Sequence, residues 1–241
     1  GAGTVVLNSD LTGNVVTTGN NQGILTTTGV NQTITGNIGS STSLDLNTLN
    51  IGSNTDATNY SKTTINGNVF ADSTVLNNNG TTNSSELILA SGKNITSTIT
   101  TADANMGILT LAGGIQTVTG QVGNGNKLAE VNAGNGTSTF ANDVYATNLD
   151  VEGTGTVNLD GKFTGTAVRY NADGTVILAD TKNIDSSVTT TTNNTGTLSL
   201  EGSSTVTGQV GASGASLKEI NAGNGTSTFV NDVYATNLDV E

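Results

Sequence analysis

The sequence contains no cysteine, histidine, proline or tryptophan, and aromatic residues make up only 3% of its 241 residues. Without cysteine the chain has no disulfide, no thiol nucleophile and no thiolate metal site. Without histidine it has no Ser-His-Asp or Cys-His catalytic arrangement, and the commonest metal ligand is missing. The scarcity of aromatics removes much of the burial on which a thick globular core depends. These absences argue against an enzyme and against a conventional core.

Positive charge is also scarce, because seven Lys and Arg face nineteen Asp and Glu, for a net charge of −12. Nucleic-acid binding needs clustered basic residues, so we expect no nucleic-acid partner. No apolar run approaches the roughly 20 residues needed to span a bilayer, so we expect no direct membrane insertion of this chain. The chain begins with Gly1 and shows no signal peptide, so we expect a fragment of a longer protein.

The sequence is rich in Thr, Asn, Gly, Ser and small aliphatic residues, arranged in short alternating runs. Hydrophobic residues amount to 33% and charged residues to only 11%, which is not the composition of a disordered chain. Runs such as TVILAD at 175–180 and GTLSLEG at 196–202 alternate apolar with polar residues, the period of a half-buried strand. Gly and Asn separate the runs and suit tight corners. The pattern predicts an all-β fold without a long helix.

An internal repeat dominates the sequence. The matching segments are 88–111 with 177–200, 117–123 with 205–211, and 132–152 with 221–241. Their offset is 89 residues, except in the second pair, where it is 88. A weaker copy covers 23–39. We divide the chain into a degenerate repeat at 1–87, a second repeat at 88–152 and a third at 153–241, forming one continuous solenoid without independent domains.

Two all-β architectures can carry such a repeat. One is a parallel β-helix, or β-solenoid, of about ten coils, and the other is a tandem of antiparallel β-sandwich domains. The lack of linkers and of a buried Trp anchor favours the solenoid, as do one-residue insertions, which a coil corner absorbs easily. At about 20–24 residues per coil and roughly 4.8 Å between stacked strands, the chain would form a rod about 50 Å long.

The strings GTLSLEGSSTVTGQVG and LKEINAGNGTSTFVNDVYATNLDVE resemble the passenger repeats of rickettsial autotransporter surface antigens, the outer membrane protein A and B or surface cell antigen family. The shared pattern is TVTG-x-(I/V)-G, then L-(K/A)-E-(I/V)-N, then G-T-x-T-F-x-x-(D/N)-V-x-A. It occurs at 117–146 and 205–235, and more loosely at 33–71.

The resemblance implies export through a C-terminal outer-membrane barrel and an extracellular position on the bacterial cell surface or outer membrane. It also implies roles in host-cell adhesion or in an S-layer-like coat. The implied partners are proteins on a host cell or neighbouring surface subunits, with lateral self-association of the chain as a further expectation.

Few residues are candidates for a site. Asp143, Asp173 and Asp232 are weak candidates for calcium, which prefers oxygen ligands, although they lie in turn-like sequences and the known calcium-loop motifs are absent. Arg169, the only arginine, lies near Asp160 and Asp173 in sequence. That trio is a candidate for the carboxylate site of a polysaccharide-acting β-helix enzyme. For both sets we favour a turn or solvated-surface role.

Aromatic residues recur at matching positions of the repeat. Phe140 matches Phe229, and Tyr145 matches Tyr234. They are candidates for an exposed aromatic stripe that binds a partner, but packing in the solenoid interior is the favoured interpretation.

We therefore expect a non-enzymatic structural or adhesive surface protein, with no catalytic residue and calcium as the only candidate cofactor. A rigid rod would act as a stalk, an adhesin or a surface coat. The alternatives are a self-assembling S-layer or filament subunit, held by calcium, and, less favoured, a polysaccharide-acting β-helix enzyme.

Overall fold

The computed structural model describes residues 3–40, 43–53, 60–78 and 83–240, and these residues form strands and no helix. The strands are β1 Thr4–Leu7, β2 Gln22–Thr27, β3 Asn31–Ile34, β4 Leu46–Ile51, β5 Lys62–Ile65, β6 Val69–Leu76, β7 Glu86–Leu89, β8 Ile95–Thr101, β9 Met106–Leu111, β10 Gly114–Val118, β11 Leu128–Ala133, β12 Gly136–Phe140, β13 Val144–Val151, β14 Thr156–Leu159, β15 Phe163–Tyr170, β16 Thr175–Leu178, β17 Asn183–Thr190, β18 Thr197–Leu200, β19 Ser204–Val206, β20 Leu217–Ala222, β21 Ser227–Phe229 and β22 Ala235–Val240.

Two parallel sheets contain all of these strands. β1 and the even-numbered strands form a 12-stranded sheet, and the odd-numbered strands from β3 to β21 form a 10-stranded sheet. Strands that are neighbours in a sheet lie one coil apart in sequence, which is what a chain winding about a single axis produces. The predicted parallel β-helix of about ten coils is confirmed, and the alternative of antiparallel sandwiches is wrong.

Both sheets continue across 87–88 and 152–153, where the sequence repeats were divided. The repeat boundaries themselves stay a prediction. Within the described ranges, no helix has the length and apolar character that would let it cross a membrane.

Three columns of inward-facing residues run along the solenoid, and successive members of a column are register partners one coil apart. Column A contains Leu87, Leu109, Val131, Leu149, Val168, Val188, Val210 and Val233. Column B contains Ile38, Val69, Ile95, Val118, Phe140, Leu159, Leu178, Leu200, Ala222 and Val240. Column C contains Leu25, Leu49, Thr74, Ile99, Val122, Val144, Phe163, Ile184, Val206 and Phe229.

The chain visits the columns in a constant order, C then A then B. Most of their members are fully buried, so each coil adds a thin apolar layer to one continuous core. Coil length varies more than the sequence predicts: one coil separates Leu25 from Leu49, 24 residues on, but also Val131 from Leu149, only 18 residues on.

One corner of the solenoid is a ladder of asparagine side chains. The Oδ1 atom of each asparagine accepts the backbone N–H of the residue one coil above, from Asn14 to Asn37 at 2.7 Å, Asn37 to Asn68 at 2.7 Å, Asn68 to Asn94 at 2.9 Å and Asn94 to Thr117 at 2.8 Å. These bonds connect successive coils where the strands end. They give the abundant Asn a structural role that needs no charge.

A buried glutamine closes another bend. The Oε1 atom of Gln116 accepts the backbone N–H of Gly113 at 2.7 Å, and its amide nitrogen donates to three backbone carbonyls of the coil below at 3.0–3.2 Å. Gln32, its counterpart in the degenerate repeat, accepts from Gly29 at 3.2 Å. In the third repeat, the position equivalent to Gln116 is occupied by Ser204, whose buried hydroxyl has no hydrogen-bond partner.

Candidate functional site

The three copies of the repeat share one surface feature, which we call the repeated corner. It combines the TG-x-(I/V)-G segment of one coil with the (N/D)-V-(Y/F)-A segment of the coil above. The three copies are 35–39 with 68–71, 119–123 with 143–146, and 207–211 with 232–235. It is the surface that the repeat presents several times, and so the first candidate for a function.

The backbone of the repeated corner is the same in all three copies. The last glycine of the lower segment has φ of 70° at Gly39, 67° at Gly123 and 65° at Gly211. The aromatic residue above donates its N–H to the lower segment at 2.7 Å, from Phe70 to Ile38, Tyr145 to Val122 and Tyr234 to Val210.

Glycine is required here for two reasons. A left-handed φ is unfavourable for residues with a side chain, and a Cβ on Gly123 would overlap the carbonyl oxygen of Tyr145 in the coil above. The equivalent atoms would overlap at Gly39 and Gly211. The motif therefore specifies a close approach between coils, and this approach sets where the aromatic side chain leaves the backbone.

The aromatic residues divide between the core and the surface. Phe140 is buried in the core and Phe229 packs against it, as predicted. Tyr145 and Tyr234 are half-buried on the outer surface, so the expectation of interior packing is wrong for them. The cause is the alternation of a strand: Val144 faces inward, so the next residue faces outward.

Phe70, the aromatic residue of the first corner, was not among the residues predicted from the sequence. It is half-buried like its two counterparts, and the signal that would have found it is the NVFA string at 68–71. The alternative of an exposed aromatic stripe is also not observed. Tyr145 follows a residue of column C, whereas Tyr234 follows a residue of column A, so the two rings do not stack above one another.

Tyr145 lies in a polar environment. The ammonium of Lys162, one coil above, lies 5.1 Å from the ring centroid, and hydrogen bonding to the tyrosine raises the pKa of Lys162. The phenol donates to Oδ2 of Asp143 at 3.3 Å, and Oδ1 of Asp143 accepts the backbone N–H of Lys162 at 3.0 Å. A cation over an aromatic face is a weak but specific contact, so this corner presents a fixed ring with a charged border.

The calcium candidates are engaged differently from one another. Asp143 holds the coil above, as just described. Asp173 forms a salt bridge with Lys218 at 2.9 Å and accepts the N–H of Gly196 at 3.1 Å, and these bonds lower the pKa of Asp173. Asp232 is exposed. Among the residues that the structure describes, no group of three or more acidic residues is arranged to hold a metal ion. Calcium binding stays a prediction.

The sequence trio around Arg169 is not brought together. The Nε atom of Arg169 donates to Asp150 at 2.5 Å, and its Nη2 atom donates to Asp150 and, at 3.3 Å, to Glu130. The Asp150 side chain is only 4% exposed. Asp173 instead pairs with Lys218, and Asp160 is exposed at a corner. The arginine thus has partners that its neighbours in sequence do not reveal.

Tyr170 is a buried residue that sequence reasoning did not single out. Its ring is 1% exposed, and its hydroxyl donates to the backbone carbonyl of Thr197 at 2.6 Å. Burial raises the pKa of Tyr170, so the phenol stays neutral and acts as a structural donor. No sequence signal distinguished it from the outward tyrosines, because only the strand register decides which way it faces.

A continuous solenoid with a repeated corner can be compared with known proteins. Outer membrane protein A of Rickettsia rickettsii is 34% identical over 224 residues, which are 91% of this chain and 9% of that protein. The chain is a relative of the rickettsial outer membrane protein A type of surface antigen. This relationship confirms the resemblance inferred from the sequence, and the relative's name and the solenoid fold both fit a surface protein. No family model matches the sequence, and no solved structure matches it.

The relationship to outer membrane protein A has a limited extent. The chain spans about a tenth of that protein's length and so matches only a part of it. What the whole antigen does comes to this chain only as a proposal.

Proposed function

We propose that the chain is a rigid stalk segment of a bacterial surface protein, which holds more distal parts away from the cell. The observation that carries the proposal is that parallel sheets of 12 and 10 strands run along one axis through all the described coils. Neighbouring coils are joined by backbone hydrogen bonds and by a shared core, so bending the rod at any point would break both. A stiff spacer needs this continuity.

The proposed location is extracellular, on the cell surface or outer membrane. The name of the relative, outer membrane protein A, supports this location. The net charge of −12 suits an exposed rod, because charge of one sign keeps a protein soluble and limits stray association. Export through a barrel belongs to the same proposal and rests on the family resemblance.

The proposed role is not enzymatic. Support comes from the surroundings of Arg169, the residue on which a carboxylate-based polysaccharide enzyme would depend. Its guanidinium is engaged by Asp150 and Glu130, and paired charges of this kind are ordinary structural contacts. The proposed partners are proteins, and the proposal requires no cofactor.

Adhesion is a second candidate function. The observation that favours it is the half-buried ring of Tyr145 on the outer surface, held by Asp143 and Lys162. Rigid aromatic side chains with a polar border are typical of protein-binding surfaces. An S-layer-like coat would use the side of the rod instead of single corners.

The stalk proposal can be tested on the cell surface. The chain is fused between an outer-membrane anchor and a distal fluorescent protein, as one copy or as two in tandem. Energy transfer to a membrane dye then reports the height of the fluorophore. We expect the second copy to raise it by about 50 Å, from about ten coils at roughly 4.8 Å each. Unchanged transfer would overturn the proposal.

A matched control keeps the length but breaks the stacking. In this variant Val118, Val122 and Val144, three core residues of neighbouring coils, are changed to Asn. We expect the tandem variant to lose the fixed step in height and to give a broad spread of transfer instead, because buried polar groups without partners unfold the coils and an unfolded segment has no defined length.

A further inference from the structure

The sequence repeat and the coil of the solenoid are out of phase. The strands of the second repeat correspond in order to those of the third: β7 to β16, β8 to β17, β9 to β18, β10 to β19, β11 to β20, β12 to β21 and β13 to β22. Each pair is nine strands apart. Because odd and even strands belong to different sheets, every strand of one repeat lies in the opposite sheet from its copy.

The core columns show the same displacement in finer detail. The repeated corner uses Ile38 and Val69 of column B in its first copy, then Val122 and Val144 of column C, then Val210 and Val233 of column A. Each copy therefore lies one column further along the coil than the copy before it. Three columns make a full coil, so the three corners occupy three different positions around the axis.

The displacement is kept although the number of whole coils between copies changes. Between the first and second corners, three successive register partners of Ile38 lie above it in column B, namely Val69, Ile95 and Val118. The chain then moves from column B to column C, where the second corner begins at Val122. Four successive register partners of Val122 lie above it in column C, namely Val144, Phe163, Ile184 and Val206. The second interval between corners is therefore one coil longer than the first, yet both intervals displace the corner by one column.

We infer that the repeated corner is displayed as a spiral around the rod, so that each copy faces a different side and parallel copies of the chain cannot match their corners. This deepens the proposed stalk and rests on it, because only a rod held away from the cell is accessible from all sides. A second copy of the chain lying alongside would meet the corner once and then face other surfaces. The repeated corner is thus not a surface for side-to-side packing.

Distances between nitroxide labels test the spiral on the folded chain. Thr110 and Ser199 are equivalent in the repeat but lie in opposite sheets, in β9 and β18. Thr110 and Thr189 are not equivalent, but Thr189 lies four coils above Thr110 in one ladder. All three side chains face outward and are half-buried, so cysteine substitution is mild at each.

We expect the ladder pair, Thr110→Cys with Thr189→Cys, to lie about 19 Å apart, from four strand spacings of about 4.8 Å. The repeat pair, Thr110→Cys with Ser199→Cys, should be longer by several Å, because its labels leave two different sheets and a separation of about 10 Å or more across the rod adds at right angles to a similar rise along it. Equal distances, or a shorter repeat pair, would overturn the spiral while leaving the proposed stalk intact.

Sedimentation equilibrium tests the consequence for self-association of the chain. We expect the chain to remain monomeric at high concentration. Side-by-side oligomers that disappear on Tyr145→Ala with Tyr234→Ala, but persist with Thr139→Ala and Thr228→Ala at another equivalent pair, would overturn it. Circular dichroism of each variant confirms that the strands are kept. Failure of the tandem-height experiment would instead remove the stalk, and with it the access to the corners from all sides, while the spiral arrangement of the corners would stand.

Discussion

Gly123 shows how a single residue connects the sequence motif to the fold. Its φ of 67° and the carbonyl oxygen of Tyr145 above it both exclude a side chain. The same two constraints act at Gly39 and Gly211. The final glycine of TVTG-x-(I/V)-G is therefore explained by packing between coils and needs no ligand.

Replacing Gly123 with Ala should be destabilising by about 2–5 kcal/mol. The left-handed backbone costs about 1–2 kcal/mol, and forcing the overlapped coils apart adds roughly 1–3 kcal/mol. Gly125→Ala is the matched control, because Gly125 also has a positive φ, of 80°, but open space around it. Gly125→Ala should be destabilising by only about 1–2 kcal/mol, the cost of the left-handed backbone. Chemical denaturation of both variants measures the difference, and equal losses would contradict the role given to close packing.

Gln116 makes a second prediction at the residue scale. Gln116→Ala removes four hydrogen bonds and leaves the N–H of Gly113 buried without a partner, so we expect a loss of about 2–4 kcal/mol. Ser204→Ala at the equivalent position removes a hydroxyl that has no partner. It should leave stability unchanged or slightly higher. Thermal unfolding of the two variants measures the difference in stability. A similar loss of stability at both positions would contradict the role given to the Gln116 hydrogen bonds.

At the scale of the strand, alternation in the sequence was enough to predict the class of fold. Runs such as 175–180 and 196–200 form strands with alternate residues buried. Alternation was not enough to predict which aromatic residues face inward. Alternation in β13 puts Val144 and Tyr145 on opposite faces of the strand, but it does not say which of the two faces the core. Because Val144 lies in column C and faces the core, the ring of Tyr145 faces outward.

Contacts between coils were the part that the sequence could not reveal. Arg169 pairs with Asp150, 19 residues earlier, because the coil there is short. The predicted length of about 20–24 residues per coil would have matched Arg169 with another residue. Pairing across coils depends on each coil's length, and corners of Gly and Asn absorb insertions without a clear sequence signal.

The solenoid should still fold when a whole coil is deleted, but not when only part of a coil is deleted. Deleting 150–168 removes one coil, because Leu149 then takes the place of its register partner Val168. We expect a folded chain with cooperative unfolding, since every remaining column stays in register. Deleting only 150–159 would shift the following strands into the wrong columns and should abolish the fold. Circular dichroism and thermal melting distinguish the two, and equal tolerance would contradict the column register.

For the whole molecule, stability accrues along one dimension. Each coil contacts mainly the coils directly above and below it, as in other repeat proteins. Such a chain can gain or lose a coil without changing its cross-section. The two intervals between repeated corners, which differ by one coil, fit this behaviour and keep the spiral in phase.

The central claim is that all coils stack on one axis with the spacing of strands in a sheet. Outward residues of one ladder test it directly. Labels at Thr110, Thr64 and Thr33 are each paired with a label at Thr189, from which they are separated by four, six and seven coils. Pulsed electron–electron double resonance should give distances near 19, 29 and 34 Å, rising by about 4.8 Å per coil. Distances that do not rise with the number of coils would contradict a continuous solenoid.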